Sequence, residues 1–174
     1  HPPLMGRQVS RVCTDPLVQY GKEALASIRN KTASFALDQV TLDIIVSTGI
    51  VSNMMTTVND YYYNSTLAHC GSTVTEHGHH HLHGEGVSLG VLCLLEHAGQ
   101  FEEEDRLMRF NDSIGLPVCF DDVEIQESEF DKMADKFMQT TEWAHMPQGV
   151  TRENFLESMR RENAKGRAFK AAKK

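Results

Sequence analysis

Apolar residues recur at helical spacing along almost the whole of this 174-residue chain, and strand-like alternation is missing. The repeats lie three, four or seven residues apart, a spacing that puts side chains on one face of an α-helix. Five stripes can be read: Leu37, Val40 and Ile44; Val87, Val91, Leu94, Leu95 and Ala98; Leu107, Phe110 and Ile114; Phe130, Met133, Ala134 and Phe137; and Phe155 with Met159. The pattern predicts an all-α fold, a helical bundle of about six to eight helices.

Helix-end signals separate these stripes. Breaks are expected at Gly49 to Asn53, Gly71 to Gly84, Gly115 to Pro117 and Pro147 to Gly149. Thr151 is a plausible N-cap, and the acidic run from Glu102 suits the first turn of a helix, where the dipole favours negative charge. The length favours a single domain, residues 1–174.

Charge and cysteine usage narrow the class of protein. A formal net charge of −7 argues against nucleic acid as a partner, and the basic stretch from Arg160 to Lys174 is interpreted as a solvated helix end. Four cysteines without a CxxC pair favour a reduced, cytoplasmic setting. The apolar runs are too short to span a membrane, and no signal peptide is visible.

Six of the nine histidines fall between positions 69 and 83. Neutral imidazole is a common ligand of zinc, iron and nickel. Three consecutive side chains cannot converge on one ion, however, so His77, His79, His80 and His81 are interpreted as a polar surface loop.

His83 and His69 differ from the loop histidines in their position. His83 is expected to open a helix, because Glu85 and the apolar stripe from Val87 follow it. His69 comes at the end of a predicted helix, Tyr61 to His69. Two imidazoles on two helix ends form a reasonable half of a metal site, and the same spacing fits two histidines bonded to backbone carbonyls equally well.

Other chemical motifs are missing from the sequence. We find no GxGxxG, no Gly-rich phosphate loop, no HExxH and no nucleophile elbow around a serine. No catalytic or cofactor-binding residue is therefore predicted within these 174 residues.

Five segments, in order, resemble a known family. LHGEGVSLGVLCLL, an acidic helix and SIGLPVCFDDVEI are similar to the C-terminal half of glycerol dehydrogenases, which belong to the metal-dependent (historically iron-containing) alcohol dehydrogenases. HMPQGVTRENF, RVCTDPLVQYGKEAL, and STGIVSN with LAH extend the resemblance over residues 7–160.

The resemblance implies a dehydroquinate-synthase-like α-domain and a site for zinc or iron. Family members hold the metal with two histidines and an aspartate, between this domain and a nucleotide-binding α/β domain. His69 and His83 match the two histidines, and the aspartate has no counterpart in this chain. NAD(P) would bind only through the missing domain.

The implied reaction is oxidation of a small alcohol or polyol, in which the metal acidifies the hydroxyl and hydride passes to the nicotinamide. No Lys or Arg lies between His69 and Gly90, which favours an uncharged substrate. We expect the isolated chain to be inactive and to act with a nucleotide-binding partner chain or as a homo-oligomer. Two departures from the family are a shorter segment at Cys70-Gly71 and Gly86 in place of lysine.

Two other functions remain open at this point. One is a non-catalytic, His-rich, metal-binding helical domain in which the loop from His77 to His83 binds the ion. The other is a different member of the same superfamily, similar to dehydroquinate synthase or glycerol-1-phosphate dehydrogenase.

Overall fold

The computed structural model describes residues 4–51, 67–70, 81–140, 142–143, 146 and 149–173. Within these ranges the chain forms helices and turns and no β-strand, so the all-α prediction is confirmed. The chain divides into two compact units, His1–Asn64 and Ser65–Lys174.

The described part of the first unit contains two α-helices, α1 (Leu4–Asn30) and α2 (Phe35–Val46), followed by a π-helical segment, Ser47–Val51. Ser34 ends the connection between them and caps α2, since its hydroxyl accepts the Leu37 N–H at 3.1 Å. The Ser27 hydroxyl donates to the same oxygen at 2.8 Å. The last turn of α1 is thus hydrogen-bonded to the first turn of α2, which sets the angle of the hairpin.

The second unit contains the remaining elements. They are α3 (Leu67–Cys70), α4 (His83–His97), α5 (Phe101–Ile114), two short 3₁₀ helices (Phe120–Val123 and Glu127–Glu129), α6 (Phe130–Phe137) and α7 (Arg152–Ala171). Gly115 ends α5 at φ 84°, the left-handed conformation that glycine adopts without strain. Thr151 caps α7 as predicted, because its hydroxyl accepts the Asn154 N–H at 3.3 Å.

The core of the second unit confirms some predicted stripes and shifts others. The stripes on α6 and α7 are fully buried. On α4 the buried apolar side chains are Leu89, Leu92 and Cys93, whereas no residue of the predicted stripe is buried. On α5 the predicted Leu107, Phe110 and Ile114 are likewise only half-buried, and the buried residues are Glu104, Met108 and Asn111. Helix α4 is apolar on most sides, so the spacing alone did not specify which row of side chains would face the core.

The predicted stripe on α2 is also offset. Ile44 is 52% exposed, and the buried positions of this helix are Ala36 and Asp43. Small or polar residues therefore face α1, and larger apolar side chains lie outside. Nothing in the apolar spacing indicated that alanine and aspartate would occupy the buried row.

The basic C-terminal stretch is solvated, as expected, and some of its cations also pair with nearby acids. Arg167 pairs with Asp121 at 2.7 Å and with Glu127 at 2.6 Å, and Lys170 pairs with Asp122. The side chains of Arg167 and Lys170 remain 43% and 46% exposed, and exposed ion pairs of this kind contribute little to stability.

Within the described ranges, no single helix is both long and apolar enough to cross a bilayer. One pair, Arg11–Asn30 with Phe35–Ile50, reaches the required length and hydropathy only when taken together, and it is bent by 109°.

Candidate metal centre

His83 lies at the first position of α4, as the sequence predicted. Leu82 precedes it in an extended conformation, and the Glu85 carboxylate accepts the Leu82 N–H at 2.8 Å. This bond satisfies one of the N–H groups that every helix start leaves unpaired, and it fixes the beginning of α4. The His83 side chain is exposed at the end of a rigid element.

His69 is brought to His83 by a close contact between two backbones. At Gly90 of α4, a Cβ atom would lie 2.2 Å from the Ala68 carbonyl oxygen, so only glycine permits this approach. With α3 seated on α4, the imidazole rings of His69 and His83 have centroids 5.7 Å apart and planes tilted by 48°. The structure therefore brings together the two histidines selected from the sequence.

The distance between the rings fits two ligands of one ion. Two imidazoles that bind a tetrahedral zinc through nitrogens at about 2.0–2.1 Å have ring centroids about 5 Å apart. The observed separation of 5.7 Å is close to this value.

Electrostatics keep His69 in the form that binds metals. Burial lowers the pKa of His69, and the neighbouring His83 lowers it further, while Glu142 acts in the opposite direction. A lower pKa favours neutral imidazole, and the neutral ring is the one that donates a lone pair to a metal.

The pair does not make a complete site. Catalytic zinc has three protein ligands, and no group of three or more His, Cys, Asp and Glu side chains in the described ranges could hold an ion. His69 and His83 thus fit two coordination positions, and the described part of the chain supplies no third.

The other histidines of the cluster were predicted to lie in a polar surface loop. His77, His79 and His80 lie outside the described residues. His81 is not an exposed loop residue, because its side chain is 20% exposed and its Nδ1 lies 3.3 Å from Glu85.

His81 and Glu85 line a polar cavity of about 330 Å³, together with Asp112, Asp122 and Lys170. Its carboxylates already have partners within the chain. Glu85 accepts the Leu82 N–H, Asp122 accepts the Val118 N–H at 3.0 Å and pairs with Lys170, and Asp112 pairs with Lys173. The carboxylates that line this cavity are therefore already hydrogen-bonded or ion-paired within the chain.

Sequence reasoning missed Gly90 and Glu142. Gly90 lies in an apolar helix, and a glycine there is a recognised sign of close backbone approach, although it does not identify the partner. Glu142 is 73 positions from His69 (142 minus 69), and no local pattern joins them.

Comparison with known proteins supports the family expectation. No family model matches the chain. The glycerol dehydrogenase of Thermotoga maritima is 26% identical over 93% of this chain, and that of Pseudomonas putida is 28% identical over 83%. The resemblance to glycerol dehydrogenases is confirmed. The chain spans less than half of the length of these relatives, 44% and 40% respectively.

Solved structures agree in fold. A probable glycerol dehydrogenase from Sinorhizobium meliloti superposes with a TM-score of 0.79 at 22% identity, covering 96% of this chain and 47% of that one. The glycerol dehydrogenase of Schizosaccharomyces pombe gives 0.77 at 17% identity, covering 99% and 44%. At such identities the likeness concerns the arrangement of the helices.

Proposed function

We propose that this chain is the helical metal- and substrate-binding part of a cytoplasmic, glycerol-dehydrogenase-like oxidoreductase that acts on a small alcohol or polyol with NAD(P). The observation that carries the proposal is the juxtaposition of His69 and His83, with ring centroids 5.7 Å apart. It occurs in a chain that resembles glycerol dehydrogenases over most of its length.

In this proposal the two histidines hold a divalent metal, zinc or iron. Gly90 seats α3 against α4 and so positions His69, while the Glu85 cap holds the start of α4 and so positions His83. A metal bound there would lower the pKa of a coordinated alcohol and favour release of its proton.

The charge around the pair supports an uncharged substrate. The segment from His69 to Gly90 contains no Lys or Arg, and a phosphorylated substrate is normally held by such cations. This favours a polyol over the phosphate-bearing substrates of superfamily relatives. The remaining metal ligand and the nicotinamide site would be supplied by a nucleotide-binding region not found in these 174 residues.

Titration with Zn²⁺ and with Co²⁺ tests the metal ligands. We expect His69→Ala and His83→Ala each to weaken binding at least about tenfold, because each removes one direct ligand. His97→Ala is a matched control: His97 ends the same helix α4 and bonds to Ser158 at 3.1 Å, so its loss leaves metal affinity unchanged. Unaltered affinity in both test variants would overturn the proposal.

A triple variant of His77, His79 and His80 separates this site from a loop that binds metal without catalysis. If the loop binds, the triple variant loses the ion and His83→Ala retains most of it. If His69 and His83 bind, the pattern is reversed.

Activity is tested on the chain alone. We expect no NAD-dependent oxidation of glycerol, because the hydride acceptor has no binding motif here. Measurable turnover would contradict the proposal that the nicotinamide binds outside these 174 residues. It would leave the result on metal binding by His69 and His83 unchanged.

A further inference from the structure

Glu162 is a buried carboxyl group without a visible partner. It lies on the inner face of α7 with 0% of its surface exposed. Neither carboxylate oxygen has a hydrogen-bond partner within the described structure. A charged group in this position would have lost its hydration without compensation, which is among the costliest arrangements in a protein interior.

The charged groups that face Glu162 come from three other elements and from its own helix. They are Glu96 of α4, Glu104 of α5, Asp122 of the first 3₁₀ helix and Lys165 of α7. Three of these four are acids, so the local field opposes a further negative charge.

Lys165 is the nearby cation, and it is already shared. Its ammonium group pairs with Glu104 at 2.7 Å and with Glu96, and it also lies 4.3 Å from the centre of the Phe101 ring. Both acids are nearly or fully buried, with side chains 0% and 3% exposed. One lysine therefore serves two buried carboxylates and leaves Glu162 without a counter-charge.

Burial is the main cause that raises the pKa of Glu162 well above its usual value, and repulsion by Glu104, Asp122 and Glu96 adds to it. The opposing attraction of Lys165 is the weakest of these influences.

We propose that Glu162 is folded into the second unit as a neutral acid, and that its proton acts as a latch that holds α7 against α4 and α5. The latch is a conformational device: with the proton in place the three helices pack, and when the proton is lost the buried charge drives α7 away from the acids that face it.

The direction of the pH dependence follows from the raised pKa. The folded state holds the Glu162 proton more tightly than the unfolded state does, so the latch contributes fully below the ordinary value of 4.5. Its contribution declines as pH rises through the higher folded-state pKa. Burial also raises the pKa of Glu104, which gives that acid the same sign. The second unit should lose stability from mildly acidic to alkaline pH.

Urea unfolding of the full chain from pH 4.5 to pH 9 tests the proposal. Trp143 is the single tryptophan and packs 6.0 Å from Phe155, so its fluorescence reports on the second unit. For the parent chain we expect the unfolding constant to rise at least about tenfold over this range, the equivalent of one pKa unit of linkage. Glu162→Gln, which is neutral at every pH and similar in size, should show a much weaker dependence and higher stability at pH 9.

Glu157→Gln is the matched control. Glu157 lies on the exposed side of α7 and pairs with Arg161, so its loss should leave the pH dependence of the parent chain in place. An equal pH dependence in Glu162→Gln and the parent chain would overturn the latch.

Infrared spectroscopy of the parent chain keeps the proposal testable even if Glu162→Gln does not fold. A protonated carboxyl band that persists above the ordinary value of 4.5 and is lost together with native Trp143 fluorescence on alkalisation supports the latch. If all carboxyl groups of the folded protein ionise around that ordinary value, the latch is ruled out.

Discussion

The two compact units bury different kinds of side chain. In the described part of the first unit the buried apolar residues are Ala24 and Ala36, whereas Phe35 is 65% exposed and Ile45 is 62% exposed. The second unit encloses large side chains instead: Leu89, Leu92, Met108, Ile125, Phe130, Met133, Phe137, Phe155, Leu156 and Met159. Alanines let two helices approach closely but remove little apolar area from water.

This difference shows how each unit is stabilised. Each buried leucine or phenylalanine contributes about 1.5–3 kcal/mol, so the second unit has a conventional hydrophobic core. The first unit depends on close contact between two helices, on the Ser27–Ser34 hydrogen bond and on helix caps. Its large outward-facing apolar side chains contribute little to this stabilisation, because they remain exposed to water.

Removing a large core side chain is expected to have the largest effect and to separate the units. Phe130 is fully buried, and its ring centroid lies 4.6 Å from that of Phe120. Phe130→Ala should destabilise the second unit by about 3–5 kcal/mol. Hydrogen exchange should show lost protection in α4 to α7 and unchanged protection in α1 and α2. Equal loss in both would mean that the units unfold together and that the comparison fails.

Substitutions at two glycines of α4 should have the next largest effect on stability. Gly90→Ala forces a Cβ against the Ala68 carbonyl and should cost about 1–3 kcal/mol. It should also weaken Zn²⁺ binding, since α3 carries His69. At Gly84 an added Cβ meets nothing within 4 Å, so Gly84→Ala should be neutral or stabilising by up to about 1 kcal/mol. Calorimetry and Zn²⁺ titration on both variants check this, and equal behaviour would remove Gly90 from the positioning of His69.

Matched helix caps sharpen the comparison on a smaller scale. Ser34→Ala in the first unit and Thr151→Ala in the second each remove one N-cap hydrogen bond, worth about 1 kcal/mol, and Ser34→Ala also removes the Ser27–Ser34 bond. Because the first unit also has little apolar core, Ser34→Ala should expose α2 to hydrogen exchange more than Thr151→Ala exposes α7. Equal changes in hydrogen exchange would show that α2 and α7 are similarly stable.

Exposed apolar residues of the first unit should tolerate substitution. Phe35→Ser replaces a side chain that is 65% exposed, and we expect the free energy of unfolding, measured by urea denaturation, to change by no more than about 0.5 kcal/mol. A loss above about 2 kcal/mol would mean that Phe35 is part of a core, for example through its edge contact with Tyr20 at 5.7 Å.

Sequence reasoning succeeded where the evidence is local. The start of α4 at His83, the Thr151 cap and the buried faces of α6 and α7 depend on a few neighbouring residues, and all agree with the structure. Glu104 lies in the first turn of α5, as expected, but nothing local indicated that it would be fully buried against Lys165. A first-turn position allows either outcome, and the choice depends on a lysine 61 residues away.

The amino-acid sequence by itself determined the helices, most of their ends and the resemblance to glycerol dehydrogenases, because periodicity, caps and family motifs are properties of short segments. Only the tertiary structure decided which rows of α2, α4 and α5 face the core. It also decided that Gly90 places His69 beside His83, and that Glu162 lies among acids with one shared lysine. These are contacts between segments far apart in the chain, and their energies depend on burial and distance, which no local pattern encodes.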